Sequence, residues 1–135
     1  MLAGQHALAR RSFEAARLEL EQKVGLNPDD ARLHSSLGIA YAGLGHRADA
    51  VREAKLGCEL MPPSKDALRA PDRIGDLALV YTMVGQASEA IAQLDDLLAR
   101  SGYFTAHVLR LDPRLDPLRS NPRFQALLTK YEVKP

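Results

Sequence analysis

Four histidines (His6, His34, His46 and His107), the single Cys58 and the adjacent acids Asp95 and Asp96 are the residues whose types could carry chemistry. Their spacing argues against it. A helical metal pair needs two histidines three or four residues apart on one face, and none of the four stands so close to another. One cysteine rules out an internal disulfide and a cysteine-rich zinc site, and Cys58 falls among small residues on an apolar stripe, where a buried thiol is inert. Adjacent residues on a helix point in different directions, so Asp95 and Asp96 do not converge as an acid–base pair. Neither a glycine-rich phosphate loop nor a Gly-x-Ser-x-Gly elbow is present. No catalytic residue, metal ligand or cofactor is therefore expected, and the chain reads as a binding protein rather than an enzyme.

The elements that would display a binding surface are legible in two spaced sets of residues. His34, Leu37, Gly38 and Tyr41 are followed by Gly45, Ala50 and Pro62, and 40 residues later Ile74, Leu77, Ala78 and Tyr81 are followed by Gly85 and Ala90. Leu33, Leu37, Ala40, Tyr41 and Leu44 recur at helical spacing and end at Gly45-His46. Ala50, Val51, Ala54, Cys58 and Leu60 give a second helix its inner face. Small residues at Gly38, Ala50, Ala54 and Gly57 let the two backbones approach closely, so the pattern predicts an antiparallel helix pair. A lone pair cannot bury its apolar face, which is why such units stack.

These residues resemble the tetratricopeptide repeat, whose period is about 34 residues and whose landmarks are Trp-x2-Leu-Gly-x2-Tyr, then Ala, an aromatic and Pro. His34 stands where that family prefers Trp. The resemblance implies an all-α fold, a short right-handed solenoid of antiparallel helix pairs with a C-terminal capping helix. It divides the chain into a partial, degenerate repeat over 1–30, a repeat over 31–64, an insertion over 65–70, a second repeat over 71–104, and a C-terminal segment over 105–135. The upstream copy rests on Ala16, Leu26 and Pro28, which precede Ala50, Leu60 and Pro62 by 34 residues. Arg11 takes the place of its turn glycine, so one unbroken helix from about Leu2 to Val24, able to swap between protomers, is an alternative for this stretch.

The last third does not repeat. Asp112-Pro113, Asp116-Pro117 and Asn121-Pro122 are three sites where an Asx side chain can cap a helix whose first position is proline. After Asn121, the residues Phe124, Leu127, Leu128 and Tyr131 share one face and suit a final helix laid over the last repeat. This ending is similar to the C-terminal end of bacterial tetratricopeptide regions attached to serine/threonine kinases, adenylate/guanylate cyclases and winged-helix regulators. That resemblance implies the sensory or protein-binding end of a longer polypeptide, or a stand-alone relative; an opening on a partial repeat leans towards the former.

Charge excludes further classes. Residues 110–135 carry six cations, Arg110, Arg114, Arg119, Arg123, Lys130 and Lys134, against three acids, without the basic run expected of a nucleic-acid binder. They read as a solvated face. No apolar run approaches the roughly 18 residues needed to span a bilayer, and Met1 to Arg11 lacks a secretory signal's order, so a cytoplasmic protein without a membrane partner is expected.

Two functions follow. In the family, peptide is contacted from the first helix of each pair, which implies a concave face of Arg32, Ser35, Ile39, Ala42 and Gly43 with Asp72, Gly75, Leu79, Thr82 and Met83. The set lacks the Lys and Asn cluster that clamps a terminal carboxylate in chaperone-binding members, and suits an extended or helical peptide held by shape and apolar contacts. The alternative is self-association: Leu8, Phe13 and Leu20 have little to pack against, and a homodimer would bring attached effector domains together.

Overall fold

A computed structural model describes residues 3–100 and 104–132. Helical elements follow one another in the order α1 (Ala3–Leu26), α2 (Ala31–Gly43), α3 (Arg47–Leu60), α4 (Ala70–Met83), α5 (Ala87–Ala99), α6 (Ala106–Leu111), a 3-10 segment (Pro113–Leu118) and α7 (Pro122–Lys130), and no strand occurs among the described residues. The fold is all-α. Met1, Leu2 and Lys134, named above, lie outside the described residues.

Both helix pairs turn in the same way. At the end of α2 the His46 amide donates to the Tyr41 carbonyl (2.9 Å) and the Gly45 amide to the Ala42 carbonyl (3.1 Å). At the end of α4 the Gln86 amide donates to Tyr81 (2.8 Å) and the Gly85 amide to Thr82 (3.2 Å). These are Schellman turns, which need a left-handed residue just past the helix. Gly45 and Gly85 supply it, with φ of 78° and 81°. A Cβ there is strained, so Gly45→Ala and Gly85→Ala are each expected to cost about 1 kcal/mol, additively, in denaturant unfolding.

Small residues bring α2 and α3 together. A Cβ on Gly38 would lie 2.9 Å from the Ala50 carbonyl oxygen and 3.0 Å from the Ala54 nitrogen, closer than backbone can yield. Ala50 and Ala54 are themselves fully buried. The second pair, α4 and α5, packs on the first through contacts of α4 with both α3 and α2. A continuous core runs from Ala42 through Ile74, Leu77, Val80, Tyr81, Ile91, Leu94 and Leu97 to Phe124, Leu127 and Leu128.

The N-terminal stretch is a single 24-residue helix, not a helix pair. With Arg11 where a turn glycine would stand, nothing breaks it. At about 1.5 Å per residue it is nearly twice as long as the 13-residue α2 against which it packs. Tyr41 donates its hydroxyl proton to Glu21 (2.7 Å), and the Phe13 ring lies over Gly43. Gly4 to Leu8 are exposed beyond that contact.

Two of the three Asx-Pro steps start helices. The Asp112 carboxylate accepts from the Arg114 amide (2.9 Å) and the Asn121 side-chain oxygen from the Arg123 amide (2.9 Å). Asp116 does not, because the 3-10 segment opened by Pro113 continues through Pro117, and Asp116 accepts from the Arg119 guanidinium instead (2.6 Å). The hydrogen bonds of a 3-10 helix have poorer geometry than those of an α-helix, so the missing proline donor costs less there. Thr105 caps the short α6 by accepting from the Val108 amide (3.2 Å). Tyr131 then donates to Asp95 (2.7 Å), tying the end of α7 to α5.

Candidate functional site

The ten residues expected on one concave face separate into three environments. Ser35, Ala42 and Thr82 are buried inside the bundle. The Ser35 hydroxyl faces Gly57 across the α2–α3 contact, and the Thr82 hydroxyl donates back to the Ala78 carbonyl (2.8 Å). Gly43 is covered by Phe13, while Ile39 and Met83 are half-buried against the core. The ten therefore do not share one continuous open surface across both helix pairs. The physical cause is that α1 lies along α2 and the C-terminal segment returns to α4, so much of the inner face of each pair is filled by the chain itself.

Four of the ten reach clefts. Arg32 and Asp72 line an open depression at the starts of α2 and α4, together with Asp29, Asp30, Met61, Arg69 and Arg73. Asp72 also joins Gly75 and Leu79 in a second cleft, of about 270 Å³, between α4, α5, α6 and the 3-10 segment. Leu79, Leu94, Leu97, Leu109 and Leu115 form its apolar floor, and Phe104 stands to one side. Gly75 leaves room here, since a Cβ at that position would lie 3.3 Å from the Phe104 ring.

The rim of this second cleft is polar and leans acidic. Arg73 pairs with Asp76 at 3.3 Å, and Arg114 with Asp112 at 2.8 Å, which leaves Asp72 at the exposed edge. Burial raises the Asp76 carboxyl above its ordinary range, against the opposing pull of Arg73. The Arg114 guanidinium holds Asp112 below its own. Behind the rim the Cys58 thiol donates to the Arg73 carbonyl oxygen (3.3 Å), and burial pushes it up to about 11. A thiol so placed stays protonated at neutral pH.

Arg73, Asp76, Leu94, Leu97, Phe104, Leu109, Asp112, Arg114 and Leu115 complete the cleft and were not anticipated from the sequence. The available signal was Asp72 and Asp76 one turn apart on either side of Gly75. The C-terminal wall carries no such signal, because it reaches α4 only through the return of the chain.

Elsewhere, the C-terminal cations serve the fold. Arg119 donates to the Arg110 and Asp112 carbonyls (2.6 and 2.8 Å), Arg123 to the Ser88 hydroxyl (3.2 Å) and Lys130 to Asp95 (3.4 Å). Among the described residues, no group of three or more His, Cys, Asp or Glu side chains is placed to hold a metal ion, and no helix is long and apolar enough to cross a membrane. No family model, curated protein or solved structure matches this chain.

Proposed function

We propose that this protein is a non-catalytic protein-interaction module, two tetratricopeptide-like helix pairs closed by a C-terminal cap, which holds a short segment of a partner protein. The identical turns at Gly45 and Gly85 and the close approach at Gly38 support the repeat reading. The cleft between α4, α5, α6 and the 3-10 segment carries the functional one: an apolar floor beneath a rim with three carboxylates and two guanidinium groups. Its volume suits one or two side chains. An apolar side chain would seat on Leu79 and Leu97, and a neighbouring lysine or arginine would meet Asp72 and Asp76.

The test is selection of peptides from a random library, followed by calorimetry of the best sequences. Apolar residues flanked by a basic one are expected, and Gly75→Leu, which fills the cleft, is expected to weaken binding at least about tenfold while leaving the helical signal intact. Peptides that bind Gly75→Leu as well as the parent, or a library that yields nothing tighter than about 100 μM, would sink the proposal.

A further inference from the structure

The outer side of α1 carries a stripe that stays exposed among the described residues. Gly4, Leu8, Arg11, Ala15, Leu18 and Gln22 alternate at spacings of four and three residues, and all six are exposed. At about 100° per residue they fall on the side opposite Phe13, Ala16, Leu20 and Val24, which turn towards the body of the protein. Leu8 and Leu18 retain 63% and 53% of their accessible surface. The four-three spacing is that of a two-helix seam, in which such positions meet across a left-handed crossing of about 20°.

We propose that the occupant of this face is a second copy of the same chain, with the two α1 helices antiparallel. Charge favours this partner and this direction, because the like-charge approach an antiparallel pair leaves, Glu14 to Glu14 of the other copy, is between carboxylates already paired with Arg17 of their own helix. In a parallel pair Arg11 would stand against Arg11 of the other copy, and Glu14 would approach its Glu19, so like charges meet twice. Reversing one helix about a two-fold axis near residue 13 sets Leu8 against Leu18 and Arg11 against Ala15. Side chains on a helix lean towards its N-terminus, so Arg11 then reaches towards Glu19 of the other copy, and symmetry repeats the contact. A small residue at position 15 leaves space for the arginine stem. Such a contact is isologous and closes at two copies. A single helix face is smaller than the roughly 1,600 Å² of a standard interface, so the dimer forms reversibly with concentration.

This inference is independent of the cleft. Solution mass measured by light scattering or sedimentation is expected to rise from monomer to dimer between about 10 μM and about 1 mM. Leu8→Glu/Leu18→Glu is expected to hold the monomer mass throughout with an unchanged helical spectrum, since neither side chain contributes to the core. Arg11→Glu should weaken the dimer, and Arg11→Glu/Glu19→Arg should restore it. Ser12→Cys, close to the axis, should give a disulfide-linked dimer on mild oxidation, whereas Leu8→Cys should not; a parallel pair would reverse the two, linking Leu8→Cys across the seam and leaving Ser12→Cys apart on opposite flanks. A constant monomer mass to about 1 mM, or a dimer indifferent to Leu8→Glu/Leu18→Glu, overturns the proposal.

Discussion

Replacing His34 by alanine is expected to destabilise the protein by about 3 kcal/mol, because it leaves the buried Glu53 carboxylate with only the exposed Arg52 guanidinium, 3.4 Å away, as counter-ion. His34 and Glu53 are both at most 9% exposed, and Nδ1 of the imidazole lies 2.6 Å from Glu53 Oε2. Its other nitrogen, Nε2, lies 2.6 Å from the Pro28 carbonyl oxygen. Carbonyl and carboxylate oxygens only accept, so with Glu53 ionised both ring nitrogens donate and the ring is the imidazolium. Burial by itself would lower its pKa, but the Glu53 carboxylate and the Pro28 carbonyl, with Asp30 nearby, outweigh that and raise it above the ordinary 6.5.

The pH dependence follows from that direction. The folded state holds its proton more tightly than the unfolded one, so the contribution of His34 is complete below about pH 6.5 and is lost as pH rises through the raised folded value. Unfolding free energy of the parent should therefore fall over that window, and His34→Ala should not show the step. A second variant separates loss of the pair from loss of packing: His34→Leu/Glu53→Met removes both charges and is expected to recover most of the stability. Equal damage in the single and double variants would exclude an ion-pair role. The loop of Pro28 to Asp30 should loosen with His34, since the ring anchors the Pro28 carbonyl.

Phe124→Ala is expected to cost a similar amount, about 4 kcal/mol, by opening a cavity beneath α7. The ring is wholly buried in the core it shares with Leu97, Leu118 and Leu128. It enters on the first turn of a helix started by Asn121 and Pro122, so its position is set by the cap as well as by packing. Because Leu115 and Leu118 flank the same seam, the loss should also relax the C-terminal wall of the cleft. Chemical denaturation reads the first effect, and peptide affinity of the still-folded variant reads the second. Retained affinity at reduced stability would show that the wall does not depend on α7.

Much of the helical architecture is legible from local signals, while the site is not. Tyr41 with Gly45, and Tyr81 with Gly85, announce both turns because the Schellman geometry is satisfied within six residues. Asn121-Pro122 announces α7 for the same reason. Asp116-Pro117 has the same chemistry and starts nothing, since a 3-10 segment already occupies that stretch. His34 was visible only as a departure from tryptophan; its partner, Glu53, sits 19 residues away on another helix. Ser35, Ala42 and Thr82 follow the spacing of a displayed face, yet all three are buried, Ser35 against Gly57 of α3. Such information belongs to tertiary packing and has no local spelling.

Most helices here rest on the one before them in the chain, from α1 on α2 to α4 on α5, with α7 back on α5 and α6. Short loops close at little entropic cost, so assembly can begin at either repeated turn and spread outward without waiting for the two ends to meet. The same geography grades the native state. α3 and α4 are gripped from both sides, whereas α1 is held along one side only, so opening proceeds from the ends inward. The cleft spans that gradient, joining firmly held α4 to the C-terminal segment, so an occupant would draw most of its ordering cost from that segment.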